Sequence, residues 1–169
     1  MDNTIYQNTI ELSILSNLIF RDEYREKVLP HIKAKYFPER PLRVVFNLIS
    51  DHVQKYDKPP TKEMLFIELN NTHSIGSETD FRTAAEIIEQ LKEDNNKDLT
   101  WLLDHTEKWC RDKAIYHAIY TSIEVLQDKS GIHSRTAIPS LMQEAVAVSF
   151  QQRHSMDIAD LLENYTAPE

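Results

Sequence analysis

The chain contains only two glycines in 169 residues, Gly76 and Gly131. Average usage near 7% would give roughly a dozen. Two-residue hairpin turns need positive φ angles and normally recruit glycine, so a fold of many strands is disfavoured. Phosphate-cradling loops also need several glycines, and neither G-x-G-x-x-G nor G-x-x-x-x-G-K-[ST] occurs. The composition therefore predicts an all-α protein without a nucleotide-binding loop.

Residues 1–97 show the pattern of a compact helical head. Helix-capping residues precede apolar residues at spacings of three and four, with Thr9, Thr61 and Ser77 as the proposed N-caps. Pro41 opens a further helix at its first turn, where a proline loses no hydrogen bond. Pro30 ends a short helix that begins near Asp22, because the residue before proline disfavours the helical conformation.

From residue 98 the pattern changes to a projecting antiparallel helical hairpin over residues 98–150. A long helix over 98–128, without a helix breaker, is followed by a turn and a return helix over 138–150. Each arm carries one apolar stripe for the other arm and a second stripe that needs another partner. That partner is either the head of the same chain or a second subunit, and the helix length favours the subunit interface. The predicted interface residues are Tyr116, Ile119, Tyr120 and Ile123 on the first arm, and Met142, Val146 and Phe150 on the return arm.

The charged residues are unevenly distributed around a net charge of −8. Residues 33–62 carry a local charge of +4 and residues 63–107 a local charge of −8. These stretches are either ordinary solvated helix faces or complementary patches for protein association. Because duplex affinity comes mostly from phosphate neutralisation, we expect no direct nucleic-acid binding.

The sequence offers no catalytic or metal-binding constellation. Its seven histidines form no His-Glu-x-x-His motif, so no metal site is predicted. Cys110 lies five and seven residues from His105 and His117, spacings that place neither histidine on its helix face. A buried, unreactive cysteine is the expected alternative. We therefore predict no catalytic residue, no cofactor and no metal in this chain.

An ordered series of short segments resembles the N-terminal domain of DnaB-type replicative helicases, and in particular the T-even-type bacteriophage branch. The first segments are 11–20 (ELSILSNLIF), 27–30 (KVLP), 36–37 (YF), 44–53 (VVFNLISDHV) and 59–61 (PPT). The later ones, which carry the phage likeness, are 100–103 (TWLL), 106–109 (TEKW), 137–139 (AIP) and 145–150 (AVAVSF).

The resemblance implies a collar domain of a hexameric ring, in which hairpins pair subunits into a trimer of dimers. It also implies primase and a helicase loader as partners, and a linker helix over 151–169 that leads to an ATPase domain. In that linker Met156, Leu161, Leu162 and Tyr165 fall at helical spacing. ATP and magnesium are expected only in the ATPase domain, which these 169 residues lack, so the chain itself is not expected to be an enzyme. A fragment or an interrupted reading frame would explain this.

The alternative function is a free-standing helical adaptor or loader-like protein of phage DNA replication. The N-terminus lacks the basic region of a signal peptide and no run of apolar residues is long enough to span a membrane. With a single cysteine, which is typical of a reducing compartment, this predicts the cytoplasm of the host cell.

Overall fold

The computed structural model describes residues 9–72, 76–127 and 135–151. Within these ranges the chain forms seven α-helices and no strand, which confirms the all-α prediction. The helices are α1 (Ile10–Phe20), α2 (Asp22–Val28), α3 (Arg40–Tyr56), α4 (Lys62–Asn71), α5 (Glu78–Gln90), α6 (Leu99–Gln127) and α7 (Ile138–Val146). Two short 3₁₀ helices, Ala34–Tyr36 and Arg135–Ala137, precede α3 and α7.

The helix starts follow the capping chemistry of the sequence. The Thr9 and Thr61 hydroxyls accept hydrogen bonds from the amides of Leu12 (3.3 Å) and Met64 (3.2 Å). Ser77 accepts in the same way from Asp80 (3.1 Å) at the start of α5. Each cap satisfies an amide that has no partner within its own helix.

A single apolar core joins α1 to α5 and the first half of α6. Leu15, Leu18, Val45 and Ile49 are fully buried in it, and α6 contributes Leu102 and Cys110. The second half of α6 lies beyond this core, and its buried residues, Ala118, Ser122 and Val125, form no part of that cluster.

Helix α7 packs against α6, and the residues that follow α7 bond to α6 nearer its start. Leu141 and Ala145 share a cleft with Ala118 and Thr121, whereas Phe150 bonds to Glu107. The predicted return helix was too long, because α7 ends at Val146 and not at residue 150. The reason is tertiary hydrogen bonding: the Val148 carbonyl and the Phe150 amide bond to side chains of α6 instead of continuing the helical series.

The long helix is described over Leu99–Gln127 and begins one residue later than predicted, while the predicted last residue, 128, lies outside the described residues. The proposed turn after it, the first eight residues and the linker residues Met156, Leu161, Leu162 and Tyr165 lie outside the described residues.

Candidate functional site

The second half of α6 exposes a stripe of large apolar side chains. Its members are each between 47% and 62% exposed: Tyr116, Ile119, Tyr120, Ile123 and Leu126. We call these five residues the α6 stripe. Apolar area that remains uncovered in a folded chain is typical of a protein–protein contact.

The α6 stripe lies on the opposite side of the helix from α7. At 100° per residue, the five residues of the α6 stripe centre about 145° from the buried residues Ala118 and Val125. The sequence produces this arrangement because apolar residues occupy both faces of the helix, while only one face has a partner in this chain.

The structure does not bring all of the predicted interface residues onto one surface. On the return arm Val146 is 54% exposed and Met142 is half-buried, but both belong to α7, away from the α6 stripe. The Phe150 ring is half-buried against the head and stacks on His31, with ring centroids 5.6 Å apart. Four predicted residues therefore share the α6 stripe, Val146 offers a separate exposed position, and Phe150 is engaged within the chain.

A polar latch fixes the end of α7 against α6, and sequence reasoning did not find it. Arg111 donates to the Val148 carbonyl through Nε (3.2 Å) and Nη2 (3.0 Å). Glu107 accepts from Arg111 (2.8 Å) and from the Phe150 amide (2.9 Å). The i, i+4 spacing of Glu107 and Arg111 was visible in the sequence, but it indicated only an ordinary surface ion pair.

The middle of α6, from Trp109 to His117, contacts residues 35–37 of the head through aromatic rings and a histidine. His117 Nε2 lies 2.7 Å from the Lys35 carbonyl oxygen. The Trp109 ring packs on Phe37, with centroids 5.0 Å apart, and meets Tyr36 edge-on. These contacts orient the α6 stripe relative to the head.

Trp101 extends the exposed side of α6 toward its start, and the sequence analysis missed it. Its side chain is 46% exposed and stacks on His105, with ring centroids 3.9 Å apart. Trp101 lies 15 residues before Tyr116, a spacing that returns to within about 60° of the same face, which was the available signal.

The described residues contain no group of three or more metal-ligating side chains. Burial raises the pKa of the Cys110 thiol to about 12, so this group stays protonated and is a poor nucleophile at neutral pH. No glycine-rich loop is available to hold a nucleotide phosphate. The exposed apolar side chains of α6 are therefore suited to contact with another protein surface.

Comparison with known proteins gives an informative match. The chain is 32% identical over 155 aligned positions to a DnaB-like replicative helicase from Enterobacteria phage T4. The chain is related to the DnaB-type replicative helicases. This confirms the DnaB-type resemblance read from the sequence.

The match covers 87% of this chain but only 32% of the DnaB-like helicase, so the chain spans about a third of that relative's length. No protein-family model matches the chain. Among the described residues, no helix has the length and hydropathy needed to cross a membrane.

Proposed function

We propose that this chain is the N-terminal collar and partner-docking domain of a hexameric replicative DNA helicase that unwinds DNA during phage replication. In this proposal the chain assembles subunits and docks primase and a helicase loader without hydrolysing ATP. ATP and Mg²⁺ belong to an ATPase domain outside these 169 residues. The relationship to a DnaB-like replicative helicase supports the replication role.

The observation that carries the assembly role is the α6 stripe. Its five large apolar side chains extend over about 15 Å of helix, at 1.5 Å per residue, and about half of the surface of each remains exposed. A second copy of the same stripe would cover them with an apolar surface of equal length. A two-fold contact of this kind uses the same patch on both subunits, which suits the pairing step of a ring built from dimers.

Sedimentation of the purified chain tests this proposal. We expect the wild-type protein to self-associate at tens of micromolar, with a dimer fraction that rises with protein concentration. Replacing Ile119 and Val146 together with aspartate is expected to give a soluble, helical monomer. The two single variants then separate the arms: because Ile119 lies in the α6 stripe and Val146 on α7, Ile119→Asp alone should cause most of the dissociation.

A monomeric wild-type chain at these concentrations would contradict self-association through the α6 stripe. The coding sequence after Glu169 provides an independent test of the helicase assignment. An in-frame G-x-x-x-x-G-K-[ST] within roughly one further domain supports it. A stop codon in its place favours the free-standing adaptor.

A further inference from the structure

Helix α4 divides its apolar side chains between the core and solvent. Leu65 and Leu69 are fully buried, whereas Met64 is 44% and Ile67 is 59% exposed. Helix α4 makes its main contacts with α3 and α5. No other described helix packs substantially against its outer face. At 100° per residue Glu63, Ile67, Met64 and Glu68 fall within an arc of about 140°. Two exposed apolar side chains are thus bracketed by two exposed carboxylates.

A groove of about 220 Å³ lies beside this face, between α3 and α4. The Asp51 and Glu68 carboxylates both line it, and its aromatic wall is Tyr56, which is 55% exposed. The Tyr56 ring is held against His52, with centroids 4.7 Å apart. Lys55 places its Nζ 5.2 Å from the centre of the same ring, so the Tyr56 face already attracts a cation from its own helix.

The charges of this region select the kind of molecule that can cover it. Two copies of the α4 face brought together would oppose Glu63 and Glu68 with like charges, which disfavours a symmetric self-contact. Phosphate groups would be repelled by the same carboxylates. Lys62, which donates to the Glu89 carbonyl (2.6 Å), and Lys55 offset two of the three carboxylates Asp51, Glu63 and Glu68, so the region remains weakly acidic.

We propose that the outer face of α4 and the adjoining groove bind a basic, amphipathic helical segment of a partner protein. Apolar residues of that segment contact Met64 and Ile67. A lysine or arginine enters the groove between Asp51 and Glu68 and replaces Lys55 at the face of Tyr56. Burying the apolar side of a helix against such a surface provides affinity, and the carboxylates provide selectivity for a basic partner. This surface deepens the partner-docking role proposed above and rests on it, but it is separate from the α6 stripe.

Two fluorescein-labelled peptides of about 14 residues test the site by fluorescence anisotropy with the full chain in about 0.15 M salt. One is a lysine–leucine amphipathic helix, and the other has the same leucine pattern with glutamate at every lysine. We expect only the lysine–leucine peptide to bind. Ile67→Ser should weaken it about tenfold or more, as expected for a central apolar anchor, and Glu68→Lys should also weaken it.

Matched variants on α6 provide the controls. Ile123→Ser and Glu124→Lys make the same changes at exposed positions outside the site, and they should leave peptide affinity unchanged. Equal loss from Glu68→Lys and Glu124→Lys would indicate general charge attraction and overturn the proposal, as would binding of both peptides. Loss of self-association in Ile67→Ser would show that a second copy occupies the face instead. If Ile123→Ser loses self-association but still binds the peptide, both proposals stand. If Ile123→Ser keeps self-association but loses peptide binding, only the proposed docking site is contradicted.

Discussion

The contact between Tyr24 and Thr106 joins α2 to α6 through two buried hydroxyls. Their oxygens lie 2.7 Å apart, and Thr106 also donates to the Leu102 carbonyl at 2.7 Å. A threonine hydroxyl has one hydrogen, so in this arrangement Tyr24 is the donor and Thr106 Oγ1 the acceptor. Burial raises the pKa of Tyr24, which keeps the phenol protonated and able to donate.

Thr106→Val should lower the free energy of unfolding by about 1–3 kcal/mol, because the Tyr24 hydroxyl stays buried without its acceptor. Urea denaturation monitored by circular dichroism measures the change. Tyr24→Phe should cost less in the Thr106→Val background than in the wild type, since both polar partners are then removed. Additive losses would show that the two hydroxyls are not coupled.

Burial of Cys110 lowers the free energy of unfolding at alkaline pH. The unfolded thiol ionises near pH 8.5, whereas burial raises the pKa of Cys110 to about 12 in the folded chain. Between these values the unfolded state holds fewer protons, so the free energy of unfolding falls as pH rises, by up to about 1.4 kcal/mol per pH unit. Cys110→Ala should make this fall shallower between about pH 8.5 and 10, before tyrosines ionise in the unfolded chain. Chemical denaturation at several pH values measures the free energy of unfolding of each protein relative to its own value at neutral pH. The same dependence on pH in Cys110→Ala and in the wild type would contradict the prediction.

At the scale of elements, the helix starts were predictable and one helix end was not. Thr9, Thr61 and Ser77 are local signals, because a cap bonds to an amide only three residues away. The end of α7 depends on Glu107 and Arg111, which lie about 40 residues earlier in the sequence. Periodicity continued through Val148 and Phe150, and no local pattern could show that their backbone groups bond elsewhere.

Glu107→Ala should speed hydrogen exchange at the Phe150 amide about tenfold, because its carboxylate acceptor is lost and a charge-assisted bond contributes on this scale. Amide exchange followed by nuclear magnetic resonance measures it. Glu78→Ala is the control, since Glu78 pairs with Arg82 at 3.5 Å on the exposed side of α5. Unchanged exchange at Phe150 would show that the aromatic stack on His31 alone holds this segment.

At the scale of the whole molecule, the sequence located the α6 stripe but not its relation to α7. Two apolar faces on one helix were evident from spacing alone, and four of the predicted residues lie together as exposed side chains. The position of Phe150 against the head required the three-dimensional path of residues 147–151. The exposed outer face of α4 could not be predicted for the same reason, because Met64 and Ile67 fit a core pattern as well as Leu65 and Leu69 do.

The whole chain is expected not to bind duplex DNA. Its net charge is −8, and several cations are engaged at backbone carbonyls: Arg21 at Lys97 (2.7 Å), Arg43 at Phe37 (3.0 Å) and Lys62 at Glu89 (2.6 Å). Its 27 acidic residues outnumber its 19 lysines and arginines, so the chain as a whole repels the phosphates of a duplex. A labelled duplex should show no anisotropy change with tens of micromolar protein in about 0.15 M salt. Saturable binding that weakens steeply with salt would contradict this.

The length of α6 has a mechanical consequence. Its 29 residues include no glycine or proline, the residues at which helices most often kink, and its first half is embedded in the core through Leu102 and Cys110. We therefore expect a displacement near Leu126 to be transmitted along α6 to the part of the helix that lies in the core. The contacts of Trp109 with Phe37 and of His117 with Lys35 are the points at which such a displacement would first reach the head.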